Sequence, residues 1–121
     1  MKPLSIAAIQ LDLATKDNYD LLEKKSREAV TRFSWIEMLV FSELAVGGGG
    51  SKDTSFFLSE YLEKLQELAK ELEVWLIPGS FYEKTNNEIY NTTPVINNKG
   101  ELVTKCRKLY PFLPYEVGVE A

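Results

Sequence analysis

The chain contains no histidine. That absence removes Ser-His-Asp and Cys-His nucleophile activation, together with every zinc site built on imidazole. Any catalysis here must move protons on carboxylates, lysines or tyrosines. Cysteine is almost as scarce: the single residue Cys106 cannot close an internal disulfide and fits a reducing, cytoplasmic address. No apolar stretch reaches the ~18–20 residues that a bilayer crossing needs. The opening Met1-Lys2-Pro3-Leu4-Ser5 leads into an apolar run too short for a secretory signal. Basic runs are missing too. Fourteen Lys and Arg against 18 Asp and Glu leave a net charge of -4 and a pI near 4.9, so neither nucleic acid nor an anionic membrane is an expected partner.

What remains is 121 residues, 45% hydrophobic and 26% charged, enough for one core and one domain at most. Leu4–Leu11 is a short apolar, β-branched run between Pro3 and Asp12 and reads as a buried strand. From Asn18 to Phe33, Tyr19, Leu22, Ala29, Val30 and Phe33 recur at helical spacing, with Asp17 or Asn18 as the N-cap. Trp35–Phe41 is a second strand, and the β-α-β order predicts a parallel pair joined by a helical crossover. Leu58–Leu72 carries Leu62, Leu65, Leu68, Ala69 and Leu72 on one side and acidic and basic residues on the other, the clearest helix in the chain. Val74–Tyr82 reads as a third strand ending at a bend. After a polar turn at Lys84–Asn87, Ile89–Ile96 and Glu101–Leu109 form a hairpin about Asn97-Asn98-Lys99-Gly100. Between the second strand and the second helix, Gly47-Gly48-Gly49-Gly50-Ser51 reads as a flexible loop, either a mobile connection or an engineered linker in place of a natural loop.

Three charged positions invite chemistry. Glu43 follows directly on the second strand in Phe41-Ser42-Glu43-Leu44, and ligands gather outside the carboxyl ends of parallel strands. Its apolar neighbours would desolvate it and raise its pKa toward that of a useful base, although a glutamate after a strand is more often an exposed loop residue or a cap. Lys108 lies among apolar and aromatic residues in Arg107-Lys108-Leu109-Tyr110-Pro111-Phe112. There an ammonium can stabilise a developing oxyanion or simply sit at a solvated strand end. Glu116, in Pro114-Tyr115-Glu116, lies on a proline-stiffened segment that can return it toward Lys108; a surface glutamate is the plain alternative. Cys106 shares a strand face with Lys108 by two-residue alternation, yet a buried structural thiol is the better reading.

Together these segments resemble the nitrilase, or carbon-nitrogen hydrolase, superfamily. The matching pieces run in order: Ile6-Ala7-Ala8-Ile9-Gln10, Phe41-Ser42-Glu43-Leu44, Pro78-Gly79-Ser80-Phe81-Tyr82, Tyr90-Asn91-Thr92-Thr93-Pro94-Val95-Ile96, and Arg107-Lys108 before aromatic residues. The resemblance implies an α/β fold, half of an α-β-β-α sandwich, with a mixed sheet and helices on one face. It implies Glu43 as the general base for a cysteine thiol, Lys108 as the stabiliser of the tetrahedral intermediate, and Glu116 as the second glutamate with which amidase members position substrate. The family reaction is thiolate attack on an amide or nitrile carbon, release of ammonia or amine, and hydrolysis of the acyl-thioester; no metal or organic cofactor is implied. The family's nucleophilic cysteine lies well beyond Lys108, at a strand-to-helix elbow that these 121 residues do not include, and the family has a tyrosine where Cys106 stands. The chain is therefore expected to be an N-terminal portion that is inactive alone. A half-sandwich would expose a large apolar sheet face, so self-association or pairing with a complementing C-terminal half is expected, and an inactive interaction module is the rival function.

Overall fold

A computed structural model describes residues 2–14, 17–48, 57–112 and 117–121. Six strands and two helices follow the order β1 (Ile6–Ile9), α1 (Tyr19–Arg32), β2 (Met38–Phe41), α2 (Leu58–Leu72), β3 (Trp75–Ile77), β4 (Phe81–Thr85), β5 (Glu88–Ile96) and β6 (Leu102–Arg107). β1, β2 and β3 are parallel neighbours, and β5 is antiparallel to β3, β4 and β6. The sheet is mixed, as expected.

The span Val74–Tyr82, read as one strand, is two. β3 and β4 lie on the same side of β5, since β6 takes the opposite side at both Thr92 and Ile96. Leu76 pairs with Ile96 and Phe81 with Thr92, five residue steps against four, so the Pro78-Gly79-Ser80 stretch inserts one extra residue as a bulge. Pro78 cannot donate to a ladder and Gly79 takes a φ of +86°, which together force the break. The hairpin from β4 to β5 turns through Asn86 and Asn87 at φ of +50° and +67°, the left-handed pair that a tight turn between twisted strands prefers.

The core lies on one face. Leu39 and Leu76 are fully buried and pack with Leu22 of α1 and with Leu65 and Leu68 of α2; both helices therefore cover this side. Alternation sends the next residues to the other side. There two cross-strand rows stand in register, Ile6-Met38-Trp75 and Ala8-Val40-Ile77, and Ile6 is 54% exposed. No element among the described residues covers this second face, which is the half-sandwich arrangement.

Asn18 sits at the α1 N-cap position but makes no capping bond with its side chain. Its amide instead brackets Ala14, donating to that residue's carbonyl at 3.0 Å and accepting its N–H at 2.8 Å, and also donates to Val46 O at 3.2 Å. Asp17 Oδ1 accepts the Tyr19 N–H at 3.1 Å. Gly47 and Gly48, read as flexible, complete an ordered turn after β2 in which Gly48 N–H donates to Leu44 O at 2.8 Å. Gly49, Gly50 and Ser51 lie outside the described residues.

On the helix side of the hairpins, Glu83 of β4 bonds Lys105 of β6, accepts Thr92 Oγ1–H at 3.1 Å and lies 3.5 Å from Arg107 Nε. Burial works to raise its pKa, but the hydrogen bonds and charges of Lys105, Thr92 and Arg107 outweigh it and hold Glu83 below the ordinary glutamate range. A depressed carboxylate adds stability that is fully present above its unfolded pKa and is lost as pH falls through the folded value. Glu83→Gln should therefore cost about 1 kcal/mol at neutral pH, and its deficit should shrink once the pH drops below about 4. Urea titrations at several pH values measure this. A Cβ on Gly79 would sit 2.0 Å from Ser42 O, so Gly79→Ala should lose about 2–3 kcal/mol from clash and left-handed strain combined, seen as a lower denaturation midpoint at unchanged slope.

Candidate active site

The parallel strand β2 ends at Phe41, and the chain turns at once. Ser42 and Glu43 face outward while Leu44, Ala45 and Val46 plunge into the core, at 5%, 0% and 0% exposure. That reversal requires Leu44 to adopt a φ of +51°, an uncommon conformation for a branched side chain. Its neighbours hold it there. Leu44 N–H donates to the buried Ser80 Oγ at 2.9 Å, the carbonyl of Ser42 lies against Gly79, and Val46 O accepts the Asn18 N–H at 2.8 Å. The bulge between β3 and β4 is thus fitted to the turn that carries Glu43, which explains why Gly and Ser occupy it.

Lys108 comes from the far side of the sheet, immediately after β6. Its backbone N–H donates to Asn91 O at 2.7 Å, extending the β5–β6 ladder by one step. Alternation then puts Asn91, Thr93, Cys106 and Lys108 on the uncovered face, because Thr93 pairs with Cys106.

Here two of the three predicted charged residues meet. Lys108 Nζ donates to Glu43 Oε2 at 2.8 Å, and Asn91 Nδ2 donates to the same oxygen at 2.8 Å. The side chains border an open cleft of about 420 Å³ lined by Phe41, Ile77, Ser80, Thr93 and Cys106 among others. The desolvation expected of Glu43 does not occur, since its side chain is 51% exposed and that of Lys108 is 32% exposed: its apolar sequence neighbours turn inward, and the face above it is bare.

Cys106 lines this cleft beside Lys108 but is exposed, which corrects the expectation of a buried thiol. It lies on an outer strand whose open face nothing in the described chain covers. Glu116 lies outside the described residues; its successor Val117 donates its N–H to Tyr82 Oη at 3.2 Å. Asn91 is the residue that sequence reasoning passed over. It stood inside a recognised segment, Tyr90-Asn91-Thr92-Thr93, but a polar residue in a strand carries no sign that both its side chain and its carbonyl will reach two charged residues. Among the described residues, no group of three or more His, Cys, Asp or Glu is arranged to hold a metal ion.

Comparison with known proteins bears on the family and the fold. The family model for carbon-nitrogen hydrolases matches residues 5–120. Deaminated glutathione amidase of Dictyostelium discoideum is 28% identical over 93% of this chain, and human omega-amidase NIT2 is 33% identical over 93% of it. In each case the chain spans 42% of the relative's length. Among solved structures, an amidase from Nesterenkonia sp. superposes with a TM-score of 0.82 at 18% identity, over 98% of this chain and 48% of that one. A carbon-nitrogen hydrolase from Helicobacter pylori G27 gives 0.77 at 20% identity, over 93% and 41%.

The clamp on the turn is testable. Ser80→Ala would leave the Leu44 N–H buried without its acceptor, at a cost of about 1–3 kcal/mol. Hydrogen exchange of the Leu44 amide should accelerate by about tenfold or more, well beyond any change in the helix amides of α2.

Proposed function

This chain belongs to the carbon-nitrogen hydrolase family, and from that membership we propose that it carries the base and the cationic partner of an amide- or nitrile-hydrolysing site whose nucleophilic thiol comes from outside these 121 residues. The observation that carries the reading is the 2.8 Å contact between Glu43 Oε2 and Lys108 Nζ at the carboxyl end of a parallel strand. A proton acceptor and a fixed positive charge held together on an open face are what thiol-dependent acyl transfer requires.

In this proposal a cysteine presented across the cleft gives its proton to Glu43. The thiolate attacks the amide carbon, and Lys108 stabilises the charge that develops in the tetrahedral intermediate. Glu43 returns the proton to the departing nitrogen, which leaves as ammonia or an amine. It then takes a proton from water as the water attacks the acyl-thioester, releasing the acid and restoring the thiol. Glu116 is assigned the positioning of the substrate. The substrate is a small-molecule amide or nitrile, as membership of the family suggests, and the open cleft beside Glu43 and Lys108 is where it would sit. No metal or organic cofactor takes part.

Cys106 is not assigned the nucleophile's role, because it lies on the same strand path as Lys108 rather than on a facing element. The uncovered apolar rows of β1, β2 and β3 favour a partner on that face: a second copy of the chain or a complementing half that brings the cysteine. They also favour the second reading, an inactive module that uses this face only to associate.

Ammonia release from short amides and nitriles separates these. The 121-residue chain alone should show no turnover. Joined to a cysteine-bearing C-terminal half it should turn over, and Glu43→Gln or Lys108→Met should then lower kcat by about 10²-fold or more. Turnover by the chain alone that Cys106→Ala abolishes would overturn the assignment, and a joined protein that folds but stays inactive would leave the module. Sedimentation of the isolated chain should show self-association; a sharp monomer would contradict the need to cover the face.

A further inference from the structure

We propose that Asn91 is a positioning residue that sets the Glu43–Lys108 pair from both sides, an inference that rests on the catalytic reading of that pair. Asn91 is 2% exposed on β5, and a buried amide is tolerated only where its polar atoms are matched. Its Nδ2 donates to Glu43 Oε2 at 2.8 Å. Its backbone carbonyl accepts the Lys108 N–H at 2.7 Å, just past the last residue of β6. One residue therefore fixes where the lysine leaves the ladder and where the carboxylate that receives it comes to rest. Both donors reach the same oxygen, so Glu43 Oε1 is not engaged by either and is left as the acceptor for a proton.

The residue type follows from the charges. Aspartate in this place would repel Glu43. Lysine or arginine would add a second cation that competes with Lys108 for the carboxylate. Serine and threonine are too short to reach from β5 to the turn after β2. Asparagine supplies a neutral, directed donor of sufficient length. Without it, Glu43, whose side chain is 51% exposed, would be free to swing into solvent, and the 2.8 Å contact that Lys108 makes with it would no longer be fixed.

Lysine reactivity in the intact chain reads this directly, with no need for turnover. The folded protein is labelled with trace acetic anhydride at fixed, mildly alkaline pH, and the acetylation of each lysine is followed by mass spectrometry, with the exposed turn residue Lys99 as internal reference. Glu43→Gln should raise the labelling rate of Lys108 by about fivefold, by removing one charged partner of its amine from a partly exposed ion pair. Asn91→Ala should do the same, and so should Asn91→Leu, which keeps the buried volume if alanine fails to fold. Combined with Glu43→Gln, neither should add a further increase, since residues acting through one interaction are not additive. If Glu43→Gln speeds Lys108 and the Asn91 variants do not, the positioning role is wrong while the pair stands. An Asn91 effect that adds in full to that of Glu43→Gln marks a merely structural residue and also overturns the role. If Glu43→Gln itself leaves Lys108 unchanged, the pair is not held in solution, and the catalytic reading falls with the inference.

Discussion

Glu43 Oε2 accepts a lysine ammonium and an asparagine amide, each at 2.8 Å, and the lysine comes from 65 residues further along the chain. That convergence depends on a turn that sequence alone would judge unfavourable. Leu44 is held in left-handed backbone by Ser80, and Gly79 lets the two chain segments approach to a distance that no Cβ would allow. Strain at the turn is thus balanced by one buried hydrogen bond and one missing side chain. The bulge that supplies both is the same feature that divides β3 from β4, so the sheet's irregularity and the site are one structural event.

Much of this was legible in the residues. The amphipathic spacing of α2 gave its bounds as found, Leu58–Leu72, because five leucine and alanine positions fall on one side and the other carries charge. Apolar runs marked β1 and β2, though the strands are shorter than the runs: Leu4 and Leu11 are apolar without being paired. The Asn97–Gly100 turn predicted the β5–β6 hairpin. The division of Val74–Tyr82 was not legible, since Pro-Gly-Ser signals a break but not that the chain resumes beside the same partner strand. Asn18 takes the N-cap position as read, but its side chain serves Ala14 and Val46 O instead of the helix, and local preference cannot foresee a bond to a residue 28 positions away. Glu43 and Lys108 stood out only through the ordered set of segments around them. Asn91 did not stand out, because its value lies in pairwise geometry that strand patterning does not encode.

The bare sheet face gives the site its character. In a covered sandwich a carboxylate and an ammonium would face each other in a dry cleft, where their charges act strongly on a reacting centre. Here the pair is half open to water and screened accordingly. The apolar rows Ile6-Met38-Trp75 and Ala8-Val40-Ile77 lie along the same face. Covering those rows and drying the site would therefore be a single act of association, with the hydrophobic burial of the rows driving the desolvation of the charges.

In the proposed site this chain holds the proton acceptor and the cation while the thiol arrives from a facing element. Trapping the acyl-thioester tests it most directly: the chain is mixed with a cysteine-bearing C-terminal half of the same fold and a small activated ester, quenched in acid, and the acyl group is located by mass spectrometry. Acylation is expected on the cysteine of the added half and none on Cys106. An acyl group on Cys106 that forms in the chain alone and is lost in Glu43→Gln would contradict it.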